Sequence, residues 1–151
     1  MTAAEFPDSL ADVLAGVQRM VRRRLREGMT APRLRGAQVE LLRLVAARPG
    51  IRVSAAAKEL YLAGNSVSTL VNQLSRAGYL RRETDPSDRR SALLLPTQAA
   101  TSRLADWEAR RSALVREQVA RLTDEERAAL AAALPALRRL AQNLHEEVEG
   151  V

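Results

Sequence analysis

Asn65, Ser68, Thr69, Asn72 and Arg76 stand at offsets of three, four, seven and eleven residues, a spacing that collects side chains on one side of an α-helix. The opposite side of the same segment, residues 64–77, carries Val67, Leu70, Val71 and Leu74. The outer residues are short or medium in length, polar and, Arg76 apart, uncharged. Such a face can slide into a duplex groove about 12 Å wide and offer hydrogen bonds to base edges, asparagine to adenine being the usual pairing. Ser66, in the first turn, can donate to a phosphate beside the unpaired backbone N–H groups of a helix start. The competing reading is an ordinary solvated face, which every surface helix has.

Two arginine pairs follow, Arg81-Arg82 and Arg89-Arg90. Residues 79–83 and 91–95 have a strand pattern and flank a polar loop, residues 84–90, with one proline and two aspartates. A hairpin placed after two short helices and a tight turn is a wing, and arginines at its tip can enter the minor groove, where the potential is most negative. Asp88, two residues before Arg90, can pair with that arginine and hold its guanidinium in one rotamer. The alternative is that both are solvated turn residues. An exposed pair contributes under about 1 kcal/mol, so the value of this one would be positional.

Charge and composition narrow the chemistry. Among 151 residues, 24 basic side chains face 18 acidic ones, a net charge of +6, and Lys58 is the sole lysine. Arginine keeps its charge and fits phosphate and guanine bidentately, so an anionic partner is expected, nucleic acid foremost. A GC-rich genome would also enrich alanine and arginine. There is no cysteine, which removes thiol catalysis, cysteine metal sites and disulfides together, and His145 is the single histidine. No nucleophile–base pair, glycine-rich phosphate loop or metal-ligand spacing is present, so no enzyme activity, metal or cofactor is expected. No run of 18 apolar residues occurs. Glu5 and Asp8 stand where a signal peptide would be basic and then apolar, so a cytoplasmic protein with no membrane segment is expected.

The elements that must position these residues are mostly helices. Leu10, Val13, Leu14, Val17, Met20, Val21 and Leu25 predict an amphipathic helix over residues 9–27, capped by Asp8 or Ser9 and stopped at Gly28. Val39, Leu42, Val45 and Ala46 predict a second over 36–47, ended by Pro49-Gly50. Ser54 is read as the cap of a short helix through Leu60, and Gly78 as the stop of the helix over 64–77. Beyond the hairpin, Thr97 can cap a helix to about Leu122, and Thr123-Asp124-Glu125-Glu126 is a capping box. The last helix has a coiled-coil-type seam, Leu130, Leu134, Leu137, Ala141, Leu144 and Val148, with Pro135 expected to kink it. That seam invites a partner helix, the alternative being an intramolecular pair. Trp107 is read as a packing residue. Arg19, Arg22, Arg23, Arg24 and Arg26 read as a solvated face or as a contact for an anionic effector or DNA phosphate.

The segment Val53-Ser54-Ala55-Ala56-Ala57-Lys58-Glu59-Leu60, with Asn65-Ser66-Val67-Ser68-Thr69-Leu70-Val71-Asn72-Gln73-Leu74, Gly78-Tyr79-Leu80-Arg81-Arg82 and Asp85-Pro86-Ser87-Asp88-Arg89-Arg90, resembles the multiple-antibiotic-resistance regulator (MarR) family. Asp88 and Arg90 look like that family's Asp-x-Arg wing signature, and Leu122-Thr123-Asp124-Glu125-Glu126 looks like the start of its last helix. The chain departs from the pattern at Leu95-Pro96-Thr97, where a Leu-Thr step is expected, and at Ala100 and Tyr61, where glycine is frequent. If the site of Tyr61 needs a left-handed backbone, tyrosine costs roughly 1–2 kcal/mol there.

The resemblance implies a mainly α fold: a winged helix-turn-helix with a two-stranded wing, plus long N- and C-terminal dimerisation helices. The expected division is residues 1–34 (N-terminal dimerisation helix and connector), 35–96 (winged helix-turn-helix) and 97–151 (C-terminal dimerisation helices). The implied function is a homodimeric regulator of transcription, a repressor binding double-stranded DNA at a palindromic operator. Its expected DNA contacts are Ser54, Asn65, Ser66, Ser68, Thr69, Asn72, Arg76, Arg89 and Arg90, with Asp88 orienting the wing. A small phenolic or anionic effector would release it. The alternative is a helical dimeric adaptor whose winged segment binds protein.

Overall fold

The computed structural model describes residue 2 and residues 4–149, and the side chains of residues 147–149 lie outside that description, Val148 of the expected seam among them. The elements in chain order are α1 (Phe6–Arg26), α2 (Gly36–Ala47), β1 (Ile51–Arg52), α3 (Val53–Leu60), α4 (Gly64–Arg76), β2 (Leu80–Asp85), β3 (Asp88–Pro96), α5 (Gln98–Ala120) and α6 (Asp124–Glu149). Two compact units divide them, residues 1–110 and 111–151.

The first unit is built on one core. Leu41, Leu42 and Val45 of α2 meet Ala56 and Ala57 of α3, Val67, Val71 and Leu74 of α4, and Ile51, Leu80 and Leu94 of the sheet. Each is the inward residue of its own helical or strand period, and burying a leucine or valine favours the fold by about 1.5–3 kcal/mol. Ala100 of α5 is also fully buried, so the small residue there is set by space.

Three local features differ from the sequence expectation. Helix α1 starts at Phe6, and its cap is neither Asp8 nor Ser9. Thr2 and Glu5 bond reciprocally, Glu5 N–H to Thr2 Oγ1 at 3.3 Å and Thr2 N–H to Glu5 Oε2 at 2.8 Å. Pro7 then takes a position in the first turn that needs no N–H donor. Helix α3 begins at Val53 with Arg52 in the capping position, so Ser54 lies inside the first turn and makes no capping bond. The sheet has three strands in the order β1-β3-β2, not two, because Ile51 and Arg52 pair with Leu94 and Leu93. Gly50, at φ +86°, turns the chain into that pairing and donates its N–H to Leu94 O at 2.8 Å.

Two helices end in the same motif with different residues. After α4, Tyr79 N–H bonds Leu74 O at 2.9 Å and Gly78 N–H bonds Ser75 O at 3.1 Å, with Gly78 at φ +82°. After α3, Leu62 N–H bonds Ala57 O at 3.0 Å and Tyr61 N–H bonds Lys58 O at 3.3 Å, with Tyr61 at φ 53°. Both are Schellman closures whose turning residue is left-handed. Glycine adopts that conformation freely and tyrosine does not. Tyr61→Gly should therefore raise stability by about 0.5–1 kcal/mol after the greater entropy of the unfolded glycine chain is subtracted. Urea denaturation of the two proteins checks it.

Thr97 joins the sheet to α5 as expected: it accepts Ala100 N–H at 3.2 Å and donates to Gly78 O at 2.6 Å. Gly28 serves a different end from a helix stop. Arg110 reaches over it to bond its carbonyl at 2.9 Å, and a Cβ on residue 28 would oblige the end of that side chain to shift. In the second unit the capping box is formed, Thr123 N–H to Glu126 Oε2 at 2.9 Å and Glu126 N–H to Thr123 Oγ1 at 3.2 Å. Helix α6 runs on through Pro135. Among the described residues, no helix is long and apolar enough to cross a membrane.

Candidate nucleic-acid interface

Helices α3 and α4 and the turn at Tyr61, Leu62 and Ala63 make the helix-turn-helix. Val67, Val71 and Leu74 are fully buried, which fixes the rotation of α4 about its axis. Asn65, Ser66, Thr69, Asn72 and Arg76 are consequently exposed, as the spacing predicts, whereas Ser68 is half-buried at the margin of that face. Ser54 is exposed on α3. A bond from Gln38 Nε2 to Gln73 Oε1, 3.0 Å, ties the start of α2 to the last turn of α4. Gln38 also accepts Arg35 N–H at 2.8 Å, so one side chain orients two helices.

The outer face has internal structure that spacing alone does not reveal. Asn65 accepts Ser66 N–H through its own Oδ1 at 2.9 Å, and Thr69 donates its hydroxyl to Asn65 O at 3.0 Å. Ser66 thus has its backbone donor engaged and its hydroxyl outward. Asn72 Oδ1 accepts from the Arg82 guanidinium. Arg82 was read from the sequence only as part of a basic hairpin. Here it holds a predicted base-reading amide, and the cue was its type alone.

The wing is longer and better ordered than a charged loop. Thr84 and Asp85 belong to β2, Asp88, Arg89 and Arg90 to β3, and the reversal is made by Pro86 and Ser87. Asp85, only 5% exposed, is the anchor. Its Oδ1 accepts Ser87 N–H at 2.9 Å and Ser87 Oγ at 2.7 Å, and its Oδ2 pairs with the Arg52 guanidinium. Strand β1 thereby pins the hairpin turn. Asp88 does not grip the Arg90 guanidinium as expected. It accepts Arg90 N–H at 3.0 Å and Ser91 Oγ at 2.9 Å, fixing the backbone that carries the arginine.

Register assigns the arginines to faces. Arg82 is opposite Leu94 and Thr84 opposite Ala92, all on one side of the ribbon, and the register then shifts between Thr84 and Asp85, so the regular alternation stops before Arg90. Arg81 and Glu83 lie on the other side, where the guanidinium and the carboxylate pair at 2.6 Å. The ribbon side that touches α4 through Arg82 and Asn72 is the side of Leu94 and Ala92.

The hydrogen bonds from Ser87, first its hydroxyl and then its N–H, together with the Arg52 charge, hold the Asp85 carboxyl below its ordinary 3.8 against the opposing effect of burial. A carboxyl depressed in the folded state stabilises the fold above its unfolded value, and that contribution is lost as pH falls through the folded value. Asp85→Asn should lower the melting temperature at neutral pH and flatten the loss of stability below pH 4. Thermal melts of both proteins from pH 7 down to 3 measure this.

Among the described residues, no three His, Asp or Glu side chains converge to hold a metal ion. Residues 28–91 match the family model described as the MarR family. A Thauera aromatica protein named for transcriptional regulation of the hcr operon is 36% identical over 116 residues, covering 75% of this chain and 65% of that protein. The chain spans 32% to 65% of the length of the curated relatives it matches. A MarR family protein from Bacillus stearothermophilus has the same fold at TM-score 0.75 and 18% identity, covering 95% of this chain and 99% of that one. Streptococcus pneumoniae FabT, solved in complex with DNA, has it at TM-score 0.72 and 22% identity, covering 95% and 99%.

Proposed function

We propose that this chain is a transcriptional regulator of the MarR family, whose model matches residues 28–91, and a homodimer reading a palindromic operator through α4 and the wing. The observation that carries the reading is the Asn72–Arg82 bond. It joins the polar face of α4 to the hairpin that carries Arg89 and Arg90 at its tip, so the amide face and the wing are tied together rather than standing as two separate solvated patches. Asn65, Ser66, Thr69 and Asn72 face base edges and adjacent phosphates, while Arg76 and Arg90 take the backbone and the minor groove. Ser68 and Ser54 play a lesser part at the margin.

Dimerisation rests on two apolar stripes. On α1, Val13, Val17 and Met20 are 61%, 57% and 54% exposed, and on α6, Leu130, Leu134 and Leu144 are 51%, 47% and 60% exposed. A second copy covering each would place two α4 helices about one duplex turn, roughly 34 Å, apart. Bound there, the dimer represses by occupying the operator. A small aromatic or anionic effector releases it only by preferring the arrangement in which the α4 helices are mis-spaced.

Selecting bound duplexes from a random pool tests the reading. It should return an inverted repeat with half-sites one turn apart. Asn72→Ala should relax base preference at one position per half-site, a discrimination of about 1–3 kcal/mol, while Arg90→Ala weakens all duplexes alike. Equal effects of Asn72→Ala and Arg90→Ala on every sequence would contradict the division of roles.

A further inference from the structure

We propose that the end of α1 carries a binding site for a condensed phosphate group, such as the di- or triphosphate of a nucleotide. Arg19, Arg22, Arg23, Arg26, Glu27 and Arg33 line an open groove of about 520 Å³. Four of the five arginines come from α1 at steps of three, one and three residues, which keeps them on one side of the helix. Arg33 comes from the connector to α2 and closes the groove from a separate piece of chain.

Rotation about α1 separates this site from the stripe assigned to dimerisation. At 100° per residue, the centre of Arg19, Arg22, Arg23 and Arg26 lies roughly 140° around the helix from that of Val13, Val17 and Met20, with Arg23 the arginine nearest the stripe. A second copy seated on Val13, Val17 and Met20 leaves Arg19, Arg22 and Arg26 open, with Arg23 at its edge.

Charge and lining select the ligand. Five arginines against one glutamate leave four positive charges unbalanced, and the one acid present only approaches Arg23, Nε to Oε1 at 4.0 Å, with both side chains well exposed. The last turn of a helix favours positive charge, but that effect fades within a turn and does not account for Arg19 or Arg33. A groove of this size suits a small molecule, since such sites run from about 300 to 1,000 Å³. An aromatic acid is best held by aliphatic or aromatic side chains, and none of the six lining residues is one; the apolar surface here comes from arginine stems. Guanidinium forks bind phosphate oxygens two at a time, so several forks around one groove match several linked phosphates and mismatch a single carboxylate.

Calorimetric titration of the full chain with sodium tripolyphosphate, in the absence of DNA, tests the site independently of the operator reading. Binding should saturate at one equivalent per chain, exceed the affinity for sulfate or benzoate by about tenfold or more, and weaken as salt rises. The variant R22Q/R26Q/R33Q should lose about tenfold or more of that affinity, and tripolyphosphate should raise the melting temperature of the parent but not of this variant. The variant R43Q/R116Q/R138Q removes the same charge from scattered surface arginines and should bind as the parent does. Equal losses in the two variants, or no preference over sulfate, would overturn the proposal. So would a triple variant at Arg22, Arg26 and Arg33 that keeps its tripolyphosphate affinity while losing duplex affinity, since the groove would then belong to DNA backbone.

Discussion

Raising monovalent salt from about 50 to 200 mM should weaken duplex binding by three to five orders of magnitude, the loss expected when about six to ten phosphates are neutralised. Each copy presents Arg76, Arg82, Arg89 and Arg90 exposed around α4 and the wing, so a dimer offers that number. Each phosphate contact releases condensed counterions, and the slope of log affinity against log salt is about −0.9 per contact. Replacing Arg89 and Arg90 together by alanine should lower that slope by about four in the dimer, together with the affinity at low salt. Fluorescence anisotropy across a salt series gives slope and affinity at once. A shallow slope, near that of one or two contacts, would point to a winged segment that binds protein.

The second large effect concerns assembly. Leu134→Glu should convert the protein from a species of twice 16.6 kDa to one of 16.6 kDa in sedimentation velocity, while leaving the first unit folded. Leu134 is 47% exposed in the single chain, so a carboxylate there disturbs no core. In a dimer the same carboxylate would be desolvated against leucines, at a cost of several kcal/mol. Two linked half-site contacts bind more tightly than one by about 100- to 10,000-fold, so operator affinity should fall in that range. A Leu134→Glu protein that stays dimeric would place the interface elsewhere. One that becomes monomeric yet binds the full operator unchanged would remove the need for a palindrome.

How much of this was readable from residues alone depends on how local the cause was. The apolar period of α2 and α4, the glycine stop at Gly78, the Thr97 cap and the Thr123–Glu126 box are set within a few residues, and each stands where the pattern placed it. Strand β1 was not readable, because two residues have no period and their partners, Leu93 and Leu94, lie far along the chain. The wing was drawn too short for a related reason. Residues 81–84 and 88–90 are exposed throughout, so nothing forces apolar and polar residues to alternate there, and a solvated ribbon reads as a loop. Asp85 looked like a turn residue, and it is the last residue of β2, beside the turn. Its burial depends on Arg52, 33 positions earlier. On the candidate interface the face of α4 was readable and its side-chain bonds were not: Asn72 and Arg82 meet only because the sheet packs beside the helix.

The pinned turn bears on how the protein would meet its target. Because Arg52 and Ser87 already fix Asp85, and Asp88 already fixes the backbone of Arg90, the wing needs little freezing on contact. The ordering entropy of that ribbon, about 1–2 kcal/mol per residue, is absorbed during folding. Encounter then resembles the docking of two rigid bodies. Its heat-capacity change tracks the apolar surface covered, with no component from coupled folding, and its speed is set by long-range attraction rather than by rearrangement.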